Sequence, residues 1–258
     1  MEYFVSYPWA LGFVLAIVLA LVFDFGQRVA VRFKIAQVPE RKNQLERIGD
    51  GLFLLVSLLL GFTLTLAASR YSDRRSLLVE EAISIGTTYL RASTLPSVYR
   101  EHSRELLREY VDSRLELNDA VGDEALLNKA LQHSKDLQEK LWSDAAAVAQ
   151  TDRTAITGTY INSLNETIDL HDKRVAAFEN RTPISIWILI LSVSLIAVFA
   201  RGLTLTSRFW LTLILVPITV AIVVALIADL DSSKRGLMRL DQQAIQRLKT
   251  DMHSEQAK

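Results

Sequence analysis

Four apolar blocks interrupt the chain, at about residues 3–23, 51–69, 184–200 and 209–228, and charge-rich segments separate them. Each block is long enough to carry a helix across the roughly 30 Å hydrocarbon core of a bilayer. The second block, Gly51 to Ser69, runs without a proline into Arg70-Tyr71-Ser72-Asp73-Arg74-Arg75, and Gly86 is the one soft point before Leu95-Pro96. This predicts a single uninterrupted helix from Gly51 to Ser93, roughly 65 Å at 1.5 Å per residue, of which about half stands outside the membrane.

Beyond Arg70 the apolar period changes character. Leu78, Ala82, Ile85, Tyr89 and Ala92 follow steps of four and three, so the continuing rod is amphipathic. Proline disfavours a helical residue before it, so Leu95-Pro96 ends the rod. Three more helices are predicted before the third apolar block. The first runs over about Ser97–Val121, buries Leu107, Val111 and Leu115, and stops at Gly122. The next covers about Asp123–Gln150, with Leu127, Leu131, Leu137 and Leu141 inward. The last covers about Thr151–Asn180 and has the most regular register: Ile161, Leu164, Ile168, His171, Val175 and Phe178. That register puts His171 on a buried seam, as a core histidine hydrogen-bonded to a neighbour. Asp172, Lys173 and Arg174 read as a solvated or headgroup-facing cluster. Adjacent carboxylates such as Glu80 and Glu81 point about 100° apart on a helix, which predicts surface charge and one inward contact.

The resulting expectation is an all-α integral membrane protein. It has four transmembrane helices, with a helical bundle inserted between spans 2 and 3 and span 2 continuing into that bundle. Residues 1–69 hold the first pair of spans, joined by a connector at 24–50. Residues 70–182 form the bundle, 183–228 a second hairpin of spans, and 229–258 a polar tail. The first block lacks a basic leader and an A-x-A-like cleavage site, so it reads as a retained span with Tyr3, Tyr7 and Trp9 as aromatic anchors. The connector reads as a solvated loop with Pro39 as a breaker, with a short headgroup-level amphipathic piece over Val29–Ile35 as the alternative. Pro183 stands in the first turn of the third span, where proline costs little, and Trp187 is placed near the interface. Pro217 should kink the fourth span. The tail is read as a short polar helix or a frayed end. Its Asp229–Gly236 stretch is not a calcium loop, because Lys234 and Leu240 occupy the glycine and glutamate positions.

Composition narrows the chemistry. Lys plus Arg and Asp plus Glu both number 29, so no net charge favours nucleic acid. Cysteine is absent, which removes disulfides and thiol catalysis. His102, His133, His171 and His253 are too dispersed for a zinc motif, and no phosphate loop or nucleophile elbow occurs. No ionisable residue falls in the middle of a span, against a pump built on intramembrane carboxylates. The expectation is therefore a protein that is not an enzyme, with no cofactor and no metal.

Ser57, Gly61, Thr65 and Ser69 recur every four positions along the second span and share a helical face. Such a stripe serves either a close contact of the small-xxx-small type or the wall of a solute path, with Phe53 and Phe62 available for an apolar constriction. Taken alone, the stripe favours the close contact. Arg70, Arg74 and Arg75 follow where the helix leaves the membrane. They serve as headgroup anchors or, in an oligomer, as an anion-attracting ring.

The run from Glu81 through Gly86 and Tyr89 to Ala92, then Leu95-Pro96, then Leu106-Leu107-Arg108-Glu109-Tyr110-Val111, resembles the bestrophin-like family of bacterial membrane proteins. So do Arg174, Pro183 with Trp187, and Leu230-Asp231 with Gly236. The resemblance spans Gly51 to Gly236. Through a distant likeness to bestrophins it implies a homo-oligomer, a pentamer by analogy, conducting inorganic anions across a bacterial inner membrane with lipid as its surroundings. A recognisable neck motif is missing, so no pore residue transfers. Basic residues near the span ends divide almost evenly between the two sides, and the positive-inside rule does not orient the chain. The resemblance places the bundle and both termini in the cytoplasm. The rival expectation is a sensor or signalling scaffold whose bundle binds a ligand or partner protein.

Overall fold

The computed structural model describes residues 7–35, 38–120, 123–205, 210–232, 238 and 240–254. Among these residues there are eight helices and no strand. They are α1 (Pro8–Arg32), α2 (Pro39–Ala92), α3 (Ser97–Asp119), α4 (Glu124–Thr151), α5 (Ala155–Glu179), α6 (Ile184–Thr204), α7 (Trp210–Asp231) and α8 (Gln243–Ser254). Four helical segments are long and apolar enough to cross a membrane. The chain is thus an all-α, multi-pass membrane protein. Tyr3, Gly122, Phe209, Lys234 and Gly236, which figured in the anchor, helix-stop, fourth-span and tail expectations, lie outside the described residues.

The predicted rod is present and longer than expected. α2 is one helix of 54 residues and starts at Pro39 instead of Gly51. α1 in turn runs on to Arg32. The stretch expected to be a loop is therefore mostly helical. Pro39 opens α2 at the position where its missing N–H has no helical partner to lose, so it starts a helix instead of breaking one.

The chain divides into two compact units, one of residues 1–71 and 181–238 and the other of residues 72–180 and 239–258. The first contains α1, the apolar part of α2, α6 and α7. Its core gathers Leu15, Leu19 and Phe23 with Val56, Leu60 and Ala67, together with Trp187, Ile190 and Val224. Trp187, near the start of α6, is buried in this core. α1 packs against both α6 and α7, whereas α6 and α7 touch each other only slightly. The expected two-span hairpin is thus held together mainly through the first span. Glycine explains the closeness. A Cβ on Gly26 would fall 2.6 Å from the Phe199 carbonyl oxygen, and one on Gly12 would fall 2.7 Å from the Ala225 Cβ. Lipid offers no hydrophobic gain for helix association, so this backbone-to-backbone packing carries it. The outward surface is apolar, with Phe13, Ile17, Leu21, Leu54, Leu58, Ile188, Ile196 and Ile222 all exposed. In water that surface would be costly; towards acyl chains it is what a spanning unit requires.

The second unit is the bundle, made of the rest of α2 with α3, α4, α5 and α8. Leu78, Ile85, Tyr89, Leu107, Leu137, Leu141, Tyr160 and Leu164 fill its core. Side chains define the helix starts. Asp123 accepts from the Ala125 and Leu126 amides at 2.9 and 3.1 Å, and Thr154 accepts from the Thr157 amide at 3.3 Å. Each cap satisfies otherwise unpaired N–H groups of a first turn. The tail helix α8 is neither frayed nor separate: Ile245 and Met252 are buried in this same core, and the Tyr89 hydroxyl reaches the Met252 carbonyl oxygen at 3.4 Å.

Candidate functional sites on α2 and in the bundle core

Within the first unit, α2 turns Val56, Leu60, Thr63 and Ala67 inward, in steps of four and three. Ser57, Gly61, Thr65 and Ser69 are all exposed on the other side. A Cβ added to Gly61 would meet nothing within 4 Å, so among the described residues the stripe makes no close helix contact inside the chain; Gly12, Gly26 and Gly202 do that elsewhere. Thr65 donates its hydroxyl to the Gly61 carbonyl at 2.9 Å, which satisfies it within the helix. Phe62 is exposed and Phe53 half-buried.

The three arginines are not brought together. Arg70 donates to the Thr182 hydroxyl at 2.8 Å and to Asp231 at 3.4 Å, inside the first unit. Arg74 is buried, and Arg75 is exposed. Asp231 is the hub of the Arg70 group, because its carboxylate also accepts the Thr182 amide at 3.1 Å and the Thr182 hydroxyl at 2.8 Å. It thereby ties the end of α7 to the entry of α6 and to α2.

A second cluster lies in the bundle. Glu81 on α2, Arg114 on α3 and Arg174 on α5 have side chains almost wholly removed from solvent, at 0%, 0% and 2% exposure. Arg174 Nη1 donates to Glu81 Oε2. Arg114 Nε sits 2.8 Å from Glu81 Oε1 as an ion pair without hydrogen-bond alignment. Beside them, Tyr110 Oη lies 3.2 Å from His171 Nδ1 and accepts from Gln138 at 3.0 Å. Ser84 and Thr88 on α2 bond Thr167 on α5 at 2.9 and 3.0 Å, so the polar seam continues along the helix pair.

Electrostatics fixes the protonation states. Burial would raise the Glu81 carboxyl, but Arg114 and Arg174 outweigh it and hold the group below its ordinary value. Burial lowers His171 to about 4, with Arg114 adding to the shift, so its imidazole is neutral at pH 7. Burial raises Tyr110 above its ordinary range and keeps the phenol protonated. Burial lowers Arg174 and Glu81 opposes it, yet a guanidinium stays charged. The core therefore holds two cations against one anion.

His171 and Gln138 also face outward, into a groove of about 790 Å³ between α4 and α5 that Gln132, Lys135, Trp142 and Asp172 help to line. His171 is buried as the register predicted, and Glu81 is the inward member of its pair. Arg174 is not solvated or headgroup-facing: α5 buries Thr157, Tyr160, Ser163, Thr167 and Arg174, a seam rotated by roughly 60° from the apolar one. The apolar pattern also missed Arg114, although it stands three residues after Val111 and seven after Leu107, on their face.

No curated protein and no solved structure matches the chain. A family profile described as the bestrophin-like domain matches residues 48–245, which covers most of α2, all of α3 to α7 and the start of α8. All the charged-core residues, Asp231 and the α2 stripe fall inside that match. The chain belongs to the bestrophin-like family.

Proposed function

We propose that the protein is an oligomeric ion channel of a bacterial inner membrane, conducting anions along an axis lined by α2. The observation that carries this reading is the uncovered face of that helix. Ser57, Gly61, Thr65 and Ser69 lie on a span whose opposite face packs into the chain, and among the described residues no other element of that unit covers them. Against lipid, a stripe of hydroxyls and a glycine gains nothing; around a symmetry axis the same stripe lines a polar path. In the aqueous part of α2, Val79, Ile83 and Leu90 are exposed at 40%, 63% and 60%. Apolar groups of that size on a solvated helix support burial against further copies of the chain. Of the three arginines, Arg75 is the member free to act as an anion-attracting ring. It follows Ser57 by eighteen residues, about five helical turns, and so returns to the same face. Phe53 and Phe62 are the candidates for an apolar constriction. The subunit number is proposed as five by analogy with bestrophins, with the bundle and both termini in the cytoplasm.

The chain has no cysteine, so single substitutions give a clean test. Ser57→Cys and Thr65→Cys, reconstituted in planar bilayers, should lose current on exposure to a charged methanethiosulfonate, whereas Ile222→Cys should not. Failure of both α2 variants to react removes the stripe from the path. The mass of the intact complex in detergent tests the oligomer directly, since a monomer has no inter-subunit pore. A second reading, a membrane sensor or signalling scaffold, is supported by the groove between α4 and α5. A topology reporter placed next to Gly122 separates the two, because a periplasmic bundle favours sensing.

A further inference from the structure

We propose that the core of the bundle is a binding site for a small monovalent inorganic anion of the halide type, held by Arg114 with Arg174. The argument needs only the second unit and does not depend on conduction by the first. Arg114 is fully buried, and its Nη1 and Nη2 have no hydrogen-bond partner among the described residues; Arg174 Nε has none either. A guanidinium presents five donors in a fixed fork, and leaving buried donors unmade is costly. Among the described residues Glu81 is the only carboxylate paired with either arginine, so one positive charge is left over in a dry interior. Neither neighbour supplies the missing charge, since His171 is neutral and Tyr110 is a protonated phenol.

Water could fill the empty donor positions but would not neutralise the charge, and an uncompensated buried ion is among the most destabilising features a fold can hold. A single monovalent anion does both. It accepts from several N–H groups at once and brings the cluster to neutrality. Both guanidinium groups are buried among packed helices, which favours a compact ion over a carboxylate metabolite. Access is at hand: His171 and Gln138, which hold Tyr110 on its inner side, form part of the floor of the groove between α4 and α5. Tyr110, bonded to both, stands one helical turn before Arg114 on α3.

The test uses the full-length protein in detergent, melted in sodium bromide–gluconate mixtures at constant ionic strength. Bromide should raise the melting temperature of the bundle saturably, by about 4–8 °C. Arg114→Met should abolish that dependence. An unchanged melting temperature in the wild type, or an equal bromide response in Arg114→Met, overturns the proposal, the first because water alone then occupies the site and the second because the ion binds elsewhere. Arg174→Met, which leaves Arg114 and Glu81 as a one-to-one pair, decides if Arg114→Met fails to fold. With no positive charge left over, the half-saturating bromide concentration should rise at least tenfold, and no change overturns the site. The readout is an equilibrium melt, so its outcome is independent of whether the protein passes current.

Discussion

Removal of Glu81 should damage the bundle far more than removal of Arg174, although both side chains belong to one buried ion pair. Glu81→Gln leaves Arg114 and Arg174 facing each other with no counter-charge in a site sealed from solvent. Stripping one partner from a buried pair costs about 3–5 kcal/mol, chiefly through the charge left behind. Arg174→Met is different, because Arg114 and Glu81 remain as a one-to-one pair. The methionine retains the apolar stem that packs near Phe178, over whose ring the guanidinium lies at 5.7 Å. The loss is then a charge-assisted hydrogen bond, about 1.5–3 kcal/mol, offset by relief of the excess positive charge. Urea titration in sodium gluconate, followed through Trp142 fluorescence, reads the difference. With a slope near 2 kcal/mol per molar, Glu81→Gln should lower the midpoint by about 2 M and Arg174→Met by less than about 1 M. Equal shifts, or a larger shift for Arg174→Met, would refute the charge count on which the argument stands.

Acid should weaken the bundle through His171. Its folded value near 4 lies below the unfolded 6.5, so protonation favours the unfolded chain as pH falls through that window. The loss reaches about 3 kcal/mol once the pH is below both values. His171→Gln should flatten the urea midpoint between pH 6.5 and 4.5; an unchanged slope means that another group is responsible. Gly202→Val should prevent assembly of the spanning unit, because a Cβ there would run into the Phe23 carbonyl oxygen. Gly61→Val should leave the monomer folded and instead reduce current or subunit association, because no described residue of the chain stands in its way. Limited proteolysis alongside bilayer recording distinguishes the two variants. Asp231→Ala removes the acceptor for Thr182 and Arg70, and should cost about 3 kcal/mol. That shows as a lower melting temperature in detergent, and no change would mean that Thr182 finds another acceptor.

Hydropathy and helical period located the third and fourth spans, the C-terminal end of α2 and the bundle helices α3 to α5 to within a few residues, because these follow from local rules; the end of α1 and the start of α2 lie about ten residues beyond the apolar blocks. An apolar run of bilayer length has to be helical, and Leu95-Pro96 has to stop a helix. The connector was misread for a local reason as well: Pro39 is compatible with a break or a first turn, and only the residues following it distinguish the two. The bundle core was harder to read. A seam chosen by hydrophobicity selects Ile161, Ile168 and Val175 on α5, yet the helix buries Thr167 and Arg174 because Ser84 and Thr88 pair with the first and Glu81 with the second from α2. A polar residue inside a fold is paid for by its partner, and the partner lies 79 to 93 positions away in the chain. No periodicity along one helix can report that pairing. What the sequence does hold is the trace of it: Glu81, Arg114 and Arg174 each stand at a spacing of three, four or seven from core positions, where a charge demands a counter-charge. Counting such charges across helices gives two cations and one carboxylate, and that imbalance, more than any single contact, sets this core apart from an ordinary structural salt bridge.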